Sequence, residues 1–423
     1  LSRNVKNGFL YVTGIKFKHL IAEWKQYIFY RYTKENAYFE SNEQEKIRRT
    51  RINVMYKNIT TSRDGQFVAW STNQDGKVKI YVQNLKSGKR TTVFKYGHRL
   101  QQINDEKYPL VRWHPSNMLT WIYDDNNIIR MAFYSMDDKS IEQRNIYNIQ
   151  RIVDYNFDYD GIKMVFSGVK DGKTDLFELD LPSNNQRQLS DDLADNINPS
   201  YTSKNEIVFS SNRNAMENDT IQNNFDLYIT PAKQFSPKEL CVDQGNQHNP
   251  LSLRDNQFIY LSDQNGINNF YKAKPDSAVL FIDTAIHYRY FTDVNTLSNQ
   301  NFGISKFDLN YNSGSAKSIL YRNKRYNLLH TDLDLNKDMP KLQKTEQRAY
   351  FDARRKYYDN LMPEIVSTER QNDTLININN YQFDSGEKKK RVKWPSFDDD
   401  KIWLANRKYY FTTFYTNYLV NQV

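Results

Sequence analysis

Apolar residues fall along this chain in short, almost unbroken bursts. "FVAWS" (67–71), "LTWIY" (119–123), "KMVFSG" (163–168), "EIVFSS" (206–211) and "FIYLS" (258–262) are β-branched or aromatic runs of five or six residues, the pattern of an inner strand covered on both faces. The segments that follow differ. "KVKIYVQNL", "TDLFELDL" and "NNFDLYIT" alternate apolar with polar positions and read as outer strands with one face in solvent. Asp75-Gly76 and Asp171-Gly172 stand between the two kinds of strand, where a tight hairpin needs residues that accept positive φ.

The turn ahead of each apolar burst marks a repeat. It falls at Asp64, Pro115, Asp160, Lys204 and Asp255, with separations of 51, 45, 44 and 51 residues. A period of this length, with several short strands per unit, is the sequence sign of a β-propeller blade. A more degenerate sixth unit runs from 302 to 333, preceded by the tyrosine-rich "HYRYFTD". The expected fold is therefore all-β: a six-bladed propeller over residues 50–335, with five or seven blades left open, and short helical flanks. Within 15–36, Phe17, Leu20, Ile21, Trp24, Tyr27 and Ile28 recur at spacings of three and four, an amphipathic helix that would end another domain over 1–49. Residues 336–402 read as a charged helical and tether segment, and 403–423 as the start of a further β region.

Bulk numbers sharpen this picture. At 423 residues and 50.4 kDa the chain exceeds what one compact core usually organises, which fits a repeat architecture. No run approaches 18 apolar residues, so no transmembrane helix is expected, and the first residues do not resemble a signal peptide. The chain starts at Leu1 rather than Met, which reads as a processed product or part of a longer protein. A single cysteine, Cys241, excludes an internal disulfide framework and any multi-thiolate metal site, and reads as a small buried apolar group. The net charge of +9 would favour anionic partners, but it is scattered, and its one dense run is Lys388, Lys389, Lys390 and Arg391, in the expected tether.

Candidate chemistry is sparse. His19, His98, His114, His248, His287 and His330 never pair at metal-ligand spacing. There is no nucleophile elbow, phosphate loop or dinucleotide fingerprint. Asp175 reads as a strand-edge residue, and Arg213 of "SSNR" either pairs locally or faces the central funnel. Asn58, Asn218 and Asn372 begin glycosylation-type triplets of the kind an asparagine-rich chain contains by chance. No catalytic residue, cofactor or metal is expected within these residues.

The blade segments "SRDGQFVAWSTNQDGKVKIYVQNLKSGKR", "YDGIKMVFSGVKDGKTDLFELDL", "NPSYTSKNEIVFSSNR" and "LSDQNGINNFY" resemble the TolB-like propeller family, in particular the long envelope proteins of Bacteroidetes-type bacteria. The resemblance covers about residues 50–290. It implies a peptidase-like, gluzincin-type domain before the propeller, whose closing helix "TGIKFKHLIAEWKQYI" resembles, and an outer-membrane barrel-like region after it, whose start "KYYFTTFYTNYLVNQV" resembles. The zinc-binding His-Glu-x-x-His of that peptidase-like lobe is absent from the chain, so no catalytic residue carries over. The resemblance implies a non-catalytic protein-binding scaffold of the periplasm or outer membrane, with a protein partner in export or surface-complex assembly. The alternatives are a substrate-gating propeller of a prolyl-oligopeptidase or dipeptidyl-peptidase-like hydrolase and, on charge alone, a nucleic-acid binder.

Overall fold

The computed structural model describes residues 5–39, 44–98, 108–214, 224–243, 245–253, 256–282, 286–310, 314–336, 339 and 342–361. The expected tether and terminal β region, the Lys388–Arg391 run, the triplets at Asn218 and Asn372 and the phase mark Asp255 lie outside them. The chain divides at Tyr357 and Tyr358 into two units; the propeller lies wholly in the first, and of the second only the end of one helix is described.

Six four-stranded antiparallel sheets succeed one another. The first blade holds β2 (Met55–Thr61), β3 (Phe67–Gln74), β4 (Lys77–Asn84) and β5 (Arg90–Tyr96); the second, β6 (Leu110–Trp113), β7 (Leu119–Asp125), β8 (Ile128–Tyr134) and β9 (Ile141–Ile146). The third holds β10 (Arg151–Phe157), β11 (Lys163–Lys170), β12 (Lys173–Asp180) and β13 (Asn185–Gln188); the fourth, β14 (Asn196–Tyr201), β15 (Glu206–Ser211), β16 (Asp226–Pro231) and β17 (Lys238–Cys241). The fifth holds β18 (Gln247–Ser252), β19 (Phe258–Ser262), β20 (Asn269–Ile282) and β21 (Ile286–Thr296). The sixth is composite. β22 (Ile304–Leu309), β23 (Ser315–Arg322) and β24 (Arg325–Asp332) take their outermost neighbour from the other end of the propeller, β1 (Glu45–Arg48), with Glu45 opposite His330. The closing strand thus lies just ahead of residue 50, where the sequence pattern begins.

The first strands of the blades neighbour one another in a ring around the channel. The five apolar bursts are second strands, not innermost ones, because a more polar strand precedes each and faces the channel. The third strands are not solvent-facing either: Asp175, Leu176, Phe177, Glu178 and Leu179 of β12 are all buried, since a fourth strand covers them. Asp175, expected at a strand edge, is held there by Ser190 Oγ at 2.8 Å and Gln188 Nε2 at 3.2 Å. "HYRYFTD" belongs to β21 of the fifth blade rather than leading into the sixth.

Six apolar clusters fill the gaps between neighbouring blades. Phe166 of β11 packs with Met131 and Phe133 of the second blade, while its neighbour Val165 packs with Ile207 and Phe209 of the fourth. Alternate side chains of one strand enter two different cores, which explains why such strands carry unbroken apolar runs. The ring is closed between sixth and first blades by Ile319, Leu328, Val68 and Trp70, with Ile47 of β1 packed against them. Asp75-Gly76 (φ 51° and 91°) and Asp171-Gly172 (52° and 80°) make the two-residue turns expected of them, between second and third strands. Outside the propeller stand α1 (Val5–Thr13), α2 (Phe17–Asn36) and α3 (Glu346–Leu361). The helix expected over 15–36 is α2, which exposes Trp24, Tyr27 and Phe29; no helix among the described residues is long and apolar enough to cross a membrane.

Candidate functional site

The first strands carry the polar residues that line the channel, and four charged groups close it. Arg112 of β6 reaches Asp154 of β10 at 3.3 Å and Asp308 of β22 at 3.5 Å. Lys306 of β22 spans the axis to the opposite blade, 3.4 Å from Asp154, and donates to Asn249 Oδ1 at 2.8 Å. Asn198 Nδ2 donates to Asp154 Oδ2 at 2.8 Å, and Asp308 Oδ2 accepts from Thr60 Oγ1 and the Thr61 amide at 2.9 and 2.8 Å. Two cations meet two carboxylates, so the layer is neutral. Burial works against the Asp154 carboxylate, yet Lys306, Arg112 and the Asn198 amide bring its pKa down to about 2. At Asp308 burial wins and raises the pKa, with Arg112 pulling the other way.

The backbone that presents these groups is irregular by design of its residues. Asn198 and Asn249 both take φ of 52°, each precedes a proline, and each lies where the pairing of β14 or β18 with its neighbour shifts register. Asparagine tolerates the left-handed region better than other residues with a β-carbon, and the shift turns the side chain into the channel.

Above the charged layer the channel widens to a blind funnel of about 170 Å³, to which all six blades contribute. Trp113, Phe157, Tyr201, Leu253 and Leu309 form its walls. Tyr201 donates from its hydroxyl to Glu178 Oε2 at 2.9 Å, so the ring stands fixed. At the rim the Arg63 guanidinium lies 4.2 Å over the ring of Tyr159, a residue 70% exposed. His114 also lines the funnel: its Nε2 lies 2.8 Å from the Gly161 carbonyl and its Nδ1 2.6 Å from Ser116 Oγ, so Nε2 donates and Nδ1 accepts. Burial holds this imidazole below its ordinary pKa, the Gly161 carbonyl opposing. Gly161, at φ +72°, leaves room for the ring; a β-carbon would stand 2.5 Å from His114 Cε1.

The residues singled out from sequence are not gathered here, apart from His114. Arg213 pairs with Asp192 at 2.6 Å, the local reading. Cys241 is buried with Sγ 3.4 Å from Tyr260 Oη, and burial pushes its thiol up to about 11. His248 packs on Phe225, and His330 Nδ1 accepts from Lys317 Nζ at 2.6 Å. Asn58 spends its amide on the Pro109 carbonyl at 2.9 Å. Among the described residues no three His, Cys, Asp or Glu side chains stand together as a metal site. The funnel residues went unread, although the phase marks Asp64, Pro115, Asp160 and Lys204 lie beside them and the Asn-Pro pairs at 198 and 249 repeat in step.

Six radial sheets around a blocked channel define a six-bladed β-propeller. Solved structures similar to this chain include TolB from Acinetobacter baumannii, at 12% identity and a TM-score of 0.43, the match covering 69% of this chain and 64% of that one. A putative TolB from Agrobacterium tumefaciens matches at 11% identity and 0.42, covering 68% and 85%, and the β-propeller domain of the Trilobed protease from Pyrococcus furiosus at 13% and 0.41, covering 70% and 99%. At such identities the likeness is one of fold alone. No protein-family model and no curated protein matches the chain.

Proposed function

We propose that the chain is a non-catalytic, protein-binding scaffold of the bacterial cell envelope, acting at the periplasmic side of the outer membrane, whose funnel takes one projecting side chain or chain end of a partner. The observation that carries this reading is the funnel itself. An apolar cavity of 150 Å³ holds a benzene-sized group, so about 170 Å³ suits a single anchoring side chain, the kind of contact that dominates protein interfaces. Its floor is charged but neutralised from within, so it neither attracts an ion nor offers an activated nucleophile. The resemblance of the blades to TolB-like envelope proteins supports the location and a role in export or surface-complex assembly.

The test is photocrosslinking in cells from position 203, at the funnel rim, and from position 126, on the turn between β7 and β8 at the opposite end of the blades. The expected result is a discrete protein adduct from position 203 only, in the outer-membrane fraction. An adduct from position 126 only would move the docking face. A soluble polypeptide that hydrolyses peptides, and is slowed by Ser203→Trp, would make the propeller a substrate gate instead.

A further inference from the structure

A second concavity lies away from the funnel, at the outer edge of the sixth blade. It measures about 580 Å³ and is bounded by the closing strand β1, the turn between β23 and β24, and residues 300–302 of the connection from the fifth blade. Asn323 and Lys324 make that turn with φ of 54° and 61°, which sets Arg322 and Arg325 directly opposite each other across the ladder. Like charges in that relation repel. Neither has a carboxylate within ion-pair distance among the described residues, and Lys46 of β1, which joins them at the cavity wall, has none either. The Arg322 guanidinium is steadied 4.9 Å over the ring of Phe302. Deeper in the same wall sits Gln300, only 5% exposed, with neither its amide nitrogen nor its amide oxygen paired. Buried polar atoms are ordinarily satisfied, yet these two, almost without accessible surface, stay unpaired beneath the cavity wall.

We propose that this cleft is a binding site for a phosphoryl oxyanion. Two guanidiniums present the forked donors that match tetrahedral oxyanions, and Lys46 adds a third positive charge from the closing strand. The volume lies within the range of small-molecule sites. Arg322 and Lys46 are solvated when the cavity is empty and gain a charged partner when an anion enters. Because Lys46 belongs to β1 and the arginines to the β23–β24 hairpin, the ligand also ties the closing strand to its blade.

The experiment is titration calorimetry of the full chain with inorganic pyrophosphate, beside co-sedimentation with phosphatidylcholine vesicles with and without phosphatidic acid. Arg322→Ala/Arg325→Ala is compared with Lys86→Ala/Lys89→Ala, which removes the same charge from the exposed β4–β5 turn. Loss of two charge-assisted hydrogen bonds weakens binding by more than about tenfold. Pyrophosphate binding that the arginine pair abolishes and the lysine pair spares upholds the site for a free phosphoryl compound. Vesicle binding alone with that same dependence upholds it for a lipid headgroup. In the wild type, pyrophosphate also raises the melting temperature, and Lys46→Ala diminishes the rise. Absence of both kinds of binding, or equal weakening by the two double variants, overturns the proposal.

Discussion

Asp154 serves two cations and an amide at once: Arg112, Lys306 and Asn198 all converge on its carboxylate. Removing one partner of a buried ion pair leaves the other uncompensated and costs about 3–5 kcal/mol, so Asp154→Asn, which takes the carboxylate from Lys306 and leaves Arg112 with Asp308 alone, is expected to cost about 3 kcal/mol in urea unfolding. Its acid dependence has a definite sign. With a folded pKa of about 2, the carboxylate contributes stability that is fully present above the ordinary value near 4 and is lost as pH falls towards 2. The difference between wild type and Asp154→Asn therefore shrinks over that interval, and a difference that stays constant would deny the ion pairs their role. Gly161 is a second such point. Its left-handed φ and the imidazole against it mean that Gly161→Ala costs at least about 1 kcal/mol and displaces His114, which NMR of the imidazole reports.

At the scale of the element, what the sequence made legible depends on how many faces a strand buries. Second strands such as β11 are packed on both sides, so five of them stood out as apolar runs. First strands face the channel on one side and carry Asn, Asp or Lys there, as in "RIVDYNF" and "ISKFDL", with register shifts that break the alternation; their pattern blurs, and the unbroken apolar bursts beside them read as the innermost layer instead. The closing strand "EKIR" was illegible for another reason. Four residues set no periodicity, and the partner that makes them a strand lies at the far end of the propeller. Its contribution is testable through Ile47, which packs into the cluster of Val68, Trp70 and Leu328. Ile47→Asp is expected to cost about 2–4 kcal/mol, from lost burial and a charge without a partner. Hydrogen exchange should then quicken in β24 while β10–β13 stay protected; uniform quickening would mean that β1 is no separate latch.

At the scale of the whole molecule, stability has two sources: six cores that join each blade to the next, and the charged layer that joins blades across the axis. Neighbour contacts alone would let blades open in sequence, as in a linear repeat array. The reach of Lys306 from the sixth blade to Asp154 of the third links opposite sides of the ring. Because Arg112 also bridges Asp154 and Asp308, native-state exchange is expected to give the third and sixth blades a common opening free energy in the wild type and separate values in Lys306→Met/Arg112→Met; identical behaviour in the two proteins would assign all coupling to the cores. The pairing of β1 with β24 has a consequence in time as well. During synthesis β1 emerges before any blade, yet its partner is made only after the other five blades, so the nascent chain carries an unsatisfied strand until its last sheet is complete. Pairings so distant in sequence form slowly, and an unpaired edge is open to the wrong neighbour meanwhile. The ring is thus most exposed to mispairing with other chains before its final blade is complete.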